Sequence, residues 1–108
     1  MALGSSTIID AFAEGGVSKI EMERRLAEYA LGIAYALEAS EISVEQAEDD
    51  LFKLDIYKAA KKNRLSKKLI EMLEWGMELE DVAAISSKAL TESISKIRQL
   101  ARGIIVNR

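Results

Sequence analysis

The sequence predicts an all-α protein that folds as a single compact domain. None of its 108 residues is a proline, whereas β-rich and loop-rich domains usually place prolines in their turns. Glycine and serine instead separate segments whose apolar residues recur at spacings of three and four, as they do on one face of a helix. The length allows one modest core. We therefore expect a bundle of about five helices, two long and several short.

The first 17 residues carry the weakest helical pattern. Their apolar residues fit a short amphipathic helix that begins at Ser6 or Thr7 and stops at the Gly15–Gly16 pair. The residues before it are expected to form a flexible end. We therefore distinguish a flexible or weakly helical segment, residues 1–17, from a helical domain, residues 18–108.

The first long helix is predicted from roughly Ser18 to Ala39. A capping box formed by Ser18 and Glu21 is expected to satisfy free backbone amides at its start. The core-facing stripe of this helix comprises Met22, Leu26, Tyr29, Ile33 and Leu37. Another face of this helix carries only small side chains, so a neighbouring helix or a second copy of the protein could approach it closely. This face comprises Ala30, Gly32, Ala34 and Ala36.

Three shorter helices are predicted next. A second capping box at Ser43 and Gln46 opens one of them, and Asp55 is expected to cap another. A third begins at Ser66, with Leu65 before it as part of a hydrophobic staple. Gly76 is expected to disturb this third helix and to permit a tight passage to the next one.

The C-terminal part carries a brief helical stretch and then the second long helix, roughly Ser87 to Arg102. Ser86 or Ser87 is the expected cap, and Gly103 the expected stop. The run at residues 104–106 has a strand-like composition but is too short to build a sheet. The predicted core comprises Met22, Leu26, Ile33, Leu37, Leu51, Leu69, Leu73, Leu90, Ile94 and Ile97.

The composition argues against most kinds of catalysis. The chain has no cysteine and no histidine, so thiol nucleophiles, disulfides and the commonest general base are missing. A carboxylate acid–base pair among Glu78, Glu80 and Asp81, beside Trp75, would need burial to separate the two pKa values. The acids that open the helix after Ser43 match no calcium-loop pattern, and the helix dipole explains them without a metal. We therefore predict no enzyme activity, catalytic residue, metal or cofactor.

No apolar run is long enough to suggest a membrane span, and the N-terminus lacks the basic start of a secretory signal. We therefore expect a cytoplasmic protein without a membrane partner. No small-molecule substrate is evident from the sequence.

Charge is segregated along the chain, and one run is purely basic. A nucleic-acid contact through two helices and a turn is one interpretation of this run. A solvated face whose cations pair with neighbouring acids is the other, and the net charge of −3 with a pI near 5.1 favours it. The basic run comprises Lys58, Lys61, Lys62, Arg64, Lys67 and Lys68.

These observations favour a non-enzymatic protein–protein interaction module that contacts another protein or a second copy of itself. Its candidate partner surface comprises Trp75, Glu78, Glu80 and Asp81, because aromatic residues often anchor interfaces. A more specific form is a small acidic antagonist, such as an immunity protein that neutralises a toxin domain. The alternative is a nucleic-acid-binding or transcriptional accessory protein that uses the basic run Lys58–Lys68.

Two sequence elements resemble those of a known family. They are the stretch LEWGMELEDV at residues 73–82, followed by LTESI at 90–94, and the earlier stretch ISVEQAE at 42–48. Together they resemble a family of small bacterial proteins of unknown function over roughly Ala27–Ala101. The resemblance carries no activity, so it assigns no role to any residue. It implies a bacterial, cytoplasmic protein.

Overall fold

The computed structural model describes residues 7–106, and within this range it contains helices and no strand. The all-α prediction is confirmed, but the estimate of about five helices is too low. Two helices are long and five are short; α5 and α6 are separated only by Glu78, so counting them as one bent helix gives six. The seven are α1 (Ile8–Glu14), α2 (Lys19–Glu38), α3 (Val44–Asp50), α4 (Leu54–Lys62), α5 (Lys67–Met77), α6 (Leu79–Ile85) and α7 (Ser87–Val106).

The antiparallel pair of long helices, α2 and α7, organises the bundle. The end of α2 lies beside the start of α7, where Leu37 and Leu90 line one cavity. At the other end of the pair, Glu23 of α2 and Ile104 of α7 line another. Helix α7 also contacts α5 and α6, so it lies at the centre of the fold. The core-facing residues of α7 are Ser93, Ile94, Ile97, Leu100, Ala101 and Ile104.

The serine and threonine caps predicted from the sequence are present. Side-chain oxygens of Thr7, Ser18, Ser43, Ser66 and Ser86 each accept the backbone N–H three residues ahead. Such caps satisfy amides that the helix itself cannot bond. The capping box at Ser18 is only half formed, because the carboxylate of Glu21 binds Arg24 and Arg25 instead of the backbone.

Two predicted helix boundaries are wrong. Lys53, not Asp55, is the N-cap of α4, and the Asp55 carboxylate accepts the adjacent N–H of Ile56 at 2.8 Å. Helix α7 continues through Gly103 to Val106. The glycine costs about 1 kcal/mol in helix propensity, but Ile104 beyond it is buried in the core, and that burial outweighs the cost. Residues 104–106 are thus the last turn of a helix.

The predicted core is buried with one exception, since Leu90 is only half-buried. Tyr29, which was expected on the core-facing stripe, is 42% exposed. The small-residue face of α2 is also split: Ala30 and Ala34 are buried, whereas Gly32 is exposed. Residues two apart on a helix lie about 200° apart around its axis, so these small residues cannot form one contact strip.

Helix α1 belongs to the same core through Ile9, which is completely buried, and it packs against α4.

The flexible end predicted before α1 covers residues 1–6, which lie outside the described part of the chain. The division between residues 1–17 and 18–108 stays a prediction.

Gly76 does not end α5 but makes room for Phe52. A Cβ atom at position 76 would lie 2.2 Å from two carbons of the Phe52 ring, far inside van der Waals contact. Phe52 follows α3 directly and is 2% exposed. The glycine therefore lets the chain after α3 pack tightly on α5.

We expect Gly76→Ala to lower the free energy of unfolding by about 1–3 kcal/mol, because the added methyl group overpacks the site against the Phe52 ring. Urea unfolding monitored by circular dichroism measures this change. In a Phe52→Leu background the same substitution should cost less. An equal cost in both backgrounds would show that the ring is not the reason for the glycine.

Gly32→Ala is the matched control, and its effect on the free energy of unfolding should have the opposite sign. No atom lies within 4 Å of a Cβ built at this exposed position in the middle of α2. Alanine should therefore raise the free energy of unfolding by about 0.5–1 kcal/mol through helix propensity alone. A loss of stability would contradict the open environment of Gly32.

Candidate functional site

A shallow apolar groove of about 310 Å³ lies between one side of α2 and the segment that leads into α3. We call it the α2–α3 groove. Tyr29, Gly32, Ile33 and Ala36 follow one face of α2, so they line it along two helical turns. Ile42 faces them from the loop before α3. The charged residues at its rim are Glu28 and Asp50.

The small side chains of α2 leave this groove open. Gly32 is exposed, and the space above its Cα is empty within 4 Å. Tyr29 stands at one end with 42% of its surface exposed. Partial burial raises the pKa of the Tyr29 hydroxyl, and the negative charge of Asp50 adds to the increase. The Tyr29 phenol therefore stays protonated and remains a hydrogen-bond donor at neutral pH.

A second, more polar cavity lies beyond the groove towards α1. Tyr29 and Asp50 also line this cavity, which has a volume of about 220 Å³. Its other lining residues are Thr7, Ile8, Lys53, Asp55 and Ile56. Tyr29 therefore stands between the apolar groove and a cavity with charged groups in its lining.

The segment on the α3 side of the groove carries an excess of negative charge. From Ala39 to Leu51, a segment that we call the α3 wall, every charged residue is acidic, and in the described part of the chain none of these acids forms an ion pair. Asp50 is the one of these acids that lines the groove, and Lys53, the nearest cation along the chain, lines a neighbouring cavity. The acids of the segment are Glu41, Glu45, Glu48, Asp49 and Asp50.

Charges on the other wall, α2, are largely neutralised within the helix. The Arg24 guanidinium binds Glu21 and lies 2.6 Å from Glu28. Arg25 also binds Glu21, at 2.9 Å. The hydrogen bonds from Arg24 and Arg25 lower the pKa of Glu21 to about 2. The negative potential of the groove therefore comes mainly from the α3 side.

Glu48 is the one acid of the α3 wall with a backbone partner. Its carboxylate accepts the N–H of Glu80 at 3.1 Å and so ties α3 to the start of α6. Burial raises the pKa of Glu48; the N–H of Glu80 opposes the increase, and the negative charges of Glu80 and Asp81 add to it. No group of three or more acids placed to hold a metal ion was found in residues 7–106.

None of the four residues of the candidate partner surface around Trp75 lines the groove. Trp75 is half-buried and packs against the core, while Glu78, Glu80 and Asp81 are exposed. A carboxylate acid–base pair at this place required burial of those side chains, so that hypothesis is wrong. As a partner surface, these four residues stay a prediction.

All six cations of the basic run are exposed on α4, the following turn and α5. The prediction that they pair with neighbouring acids is wrong, because all ion pairs of the described residues belong to Arg24, Arg25 and Arg98. One acid near the run, Glu74, has a different partner. Tyr57 donates its hydroxyl proton to Glu74 at 2.7 Å, and the Lys61 ammonium lies 5.2 Å from the Tyr57 ring centroid.

The groove is not apparent from helical spacing in the sequence, although its α2 residues share one side of the helix. Tyr29, Gly32 and Ala36 fall within one side of a helical wheel. Tyr29 was assigned to the core stripe and the two small residues to a different face. The empty space above Gly32 depends on where α3 lies, which helical spacing alone does not reveal.

A family model described as "Protein of unknown function (DUF3969)" matches residues 17–108. The match confirms the resemblance to a family of unknown function, whereas a bacterial origin stays a prediction. No curated protein and no solved structure matches the chain. No helix in the described range is long and apolar enough to cross a bilayer.

The environment of Glu48 predicts how stability depends on pH. A carboxyl whose pKa is raised on folding favours the folded state below its unfolded pKa, and this contribution is lost as the pH rises through the folded value. Glu48→Gln keeps an acceptor for the Glu80 N–H and removes the charge. Relative to this variant, the wild type should lose stability as the pH rises above about 4, the ordinary pKa of a glutamate. Urea unfolding at several pH values measures this difference in the free energy of unfolding. The same pH dependence in the wild type and the variant, or an ordinary pKa for Glu48 in an NMR titration, would contradict the assignment.

Proposed function

We propose that this protein, which belongs to the DUF3969 family of unknown function, is a non-enzymatic protein–protein interaction module whose contact surface is the α2–α3 groove. The observation that carries this proposal is the groove itself. Tyr29 is 42% exposed beside a helical glycine above which the space is empty. A recess of this kind, lined with aromatic and aliphatic side chains, is suited to take an anchor residue from a partner.

A small acidic antagonist, such as an immunity-type protein that neutralises a toxin domain, is the specific form of this proposal. The net charge of −3 and the unpaired acids of the α3 wall support it. Such a surface would steer a basic partner towards the groove and speed association at low salt. A cytoplasmic location in a bacterium fits this role and remains part of the proposal.

Nucleic-acid binding is the second candidate function, and one observation favours it. The basic run Lys58–Lys68 is exposed and free of ion pairs within residues 7–106. Helices α4 and α5 are joined by a turn with Arg64 at φ 57°, which places cations on two consecutive helices. The acidic character of the whole chain weighs against this candidate, since it repels phosphate at long range.

A pull-down with groove variants tests the leading proposal. Gly32→Arg introduces a long charged side chain into the open groove without touching the core. Gln99→Arg introduces the same side chain at an exposed position of α7 and is the control. We expect a stoichiometric partner from the native lysate, treated with nuclease, to be captured by the wild type and Gln99→Arg but not by Gly32→Arg. A partner retained by both variants would show that the groove is not the contact surface.

A DNA-retention experiment distinguishes the second candidate. Under the leading proposal, duplex DNA should not retain the wild type even at about 50 mM salt. Retention that weakens steeply with salt and is abolished by the double substitution Lys61→Glu and Lys62→Glu would instead assign the function to the basic run.

A further inference from the structure

We propose that the α2–α3 groove binds a basic amphipathic helix of a different protein. The inference rests on the proposed function and adds the chemistry of the partner. Three properties of the groove support this inference: its length along α2, the small side chains of α2 within it, and the unequal charge of its two walls.

The length of the groove matches a short stretch of helix. Tyr29 and Ala36 lie seven residues apart on one face of α2, which corresponds to about 10 Å. The apolar residues of a partner helix recur at the same interval, at positions i, i+3 or i+4, and i+7. Ile42 on the opposite side bounds the groove.

The small side chains of α2 in the groove favour a helix as the occupant. At Gly32 no side chain separates the α2 backbone from the space above it, and Ala36 adds only a methyl group. Small residues on one helix let the axis of another approach closely. The partner can then place apolar side chains between Tyr29 and Ile42 while its backbone rests over Gly32.

The charge of the walls favours a basic partner over a second copy of this chain. Asp50 of the α3 wall lies at the rim, and in the described residues it forms no ion pair. The nearest cation along the chain, Lys53, lines the neighbouring cavity and not the groove. A two-fold symmetric dimer through this groove would bring the acids of both α3 walls together, and like charges at close range oppose association. Lysines or arginines beside the apolar face of a partner helix would instead complement them.

A synthetic peptide of 15 residues provides the probe. It carries leucine at helical spacings of three and four and lysine elsewhere, and a matched peptide carries glutamate in place of each lysine. Calorimetry gives the affinities for the purified full chain, and amide NMR spectra locate the contact. We expect the lysine peptide to bind, with shifts centred on Tyr29, Gly32 and Ile42, and the glutamate peptide not to bind.

Two charge-matched variants separate local recognition from general attraction. Asp50→Lys should weaken binding of the lysine peptide by about fivefold or more, because it reverses a charge at the rim. Glu92→Lys changes the net charge equally at an exposed site on α7 and should weaken binding by less than about twofold. Equal effects of the two variants, or equal binding of both peptides, would overturn the inference.

Sedimentation of the wild type and Gly32→Arg tests the competing occupant. A dimer that Gly32→Arg dissociates would assign the groove to a second copy and overturn the inference. The lysine peptide could fail to bind while capture of the lysate partner still depends on Gly32. That result would refute the basic character of the partner and leave the proposed function intact. A lysate partner that does not depend on Gly32 would refute the proposed function itself.

Discussion

The packing of α2 against α7 is the constraint on which the rest of the structure depends. Both helices have 20 residues, and each buries an apolar stripe along most of its length against its neighbours. Burial of this stripe provides most of the favourable free energy. Arg98, whose guanidinium lies 2.7 Å from the Glu38 carboxylate, links the same two helices, but it is partly exposed and contributes little to stability. Because the inward face of α2 is fixed in this way, the adjacent face, which shares the buried Ile33 with the core, becomes the floor of the groove.

Packing of Phe52 over Gly76 determines the position of the other wall. Phe52 directly follows α3 and is held on α5 by the absence of a side chain at Gly76. The hydrogen bond from the Glu80 N–H to Glu48 then links α3 to α6. These two contacts keep the acidic helix beside α2 and leave Ile42 opposite Tyr29. The groove is thus a consequence of tertiary packing and not of α2 alone.

Most features that depend on neighbouring residues were predictable from the sequence, although the N-cap of α4 is Lys53 and not Asp55. Features that depend on the arrangement of helices were not predictable. The caps at Ser18, Ser43 and Ser66 follow from local hydrogen bonding, and the buried stripe of α2 follows from helical spacing. Helical spacing predicts a buried Tyr29 because spacing does not distinguish the edge of an apolar stripe from its centre. Gly103 indicates a helix end because the low helix propensity of glycine is a local property, whereas the burial of Ile104 that outweighs it depends on tertiary packing. Ion pairs between the basic run and nearby acids are predicted because these residues are close in the sequence. Closeness in the sequence does not determine whether their side chains are in contact.

Site-specific photocrosslinking in the native cell tests the central claim most directly. A photoreactive benzoylphenylalanine at Tyr29 would sit in the groove, and the same residue at Gln99 provides the control on an exposed face of α7. The account predicts that position 29 alone gives a covalent adduct with a different protein, and that the crosslinked peptide of that protein is basic and amphipathic. An adduct only between two copies of this chain, or equal adducts from both positions, would contradict it.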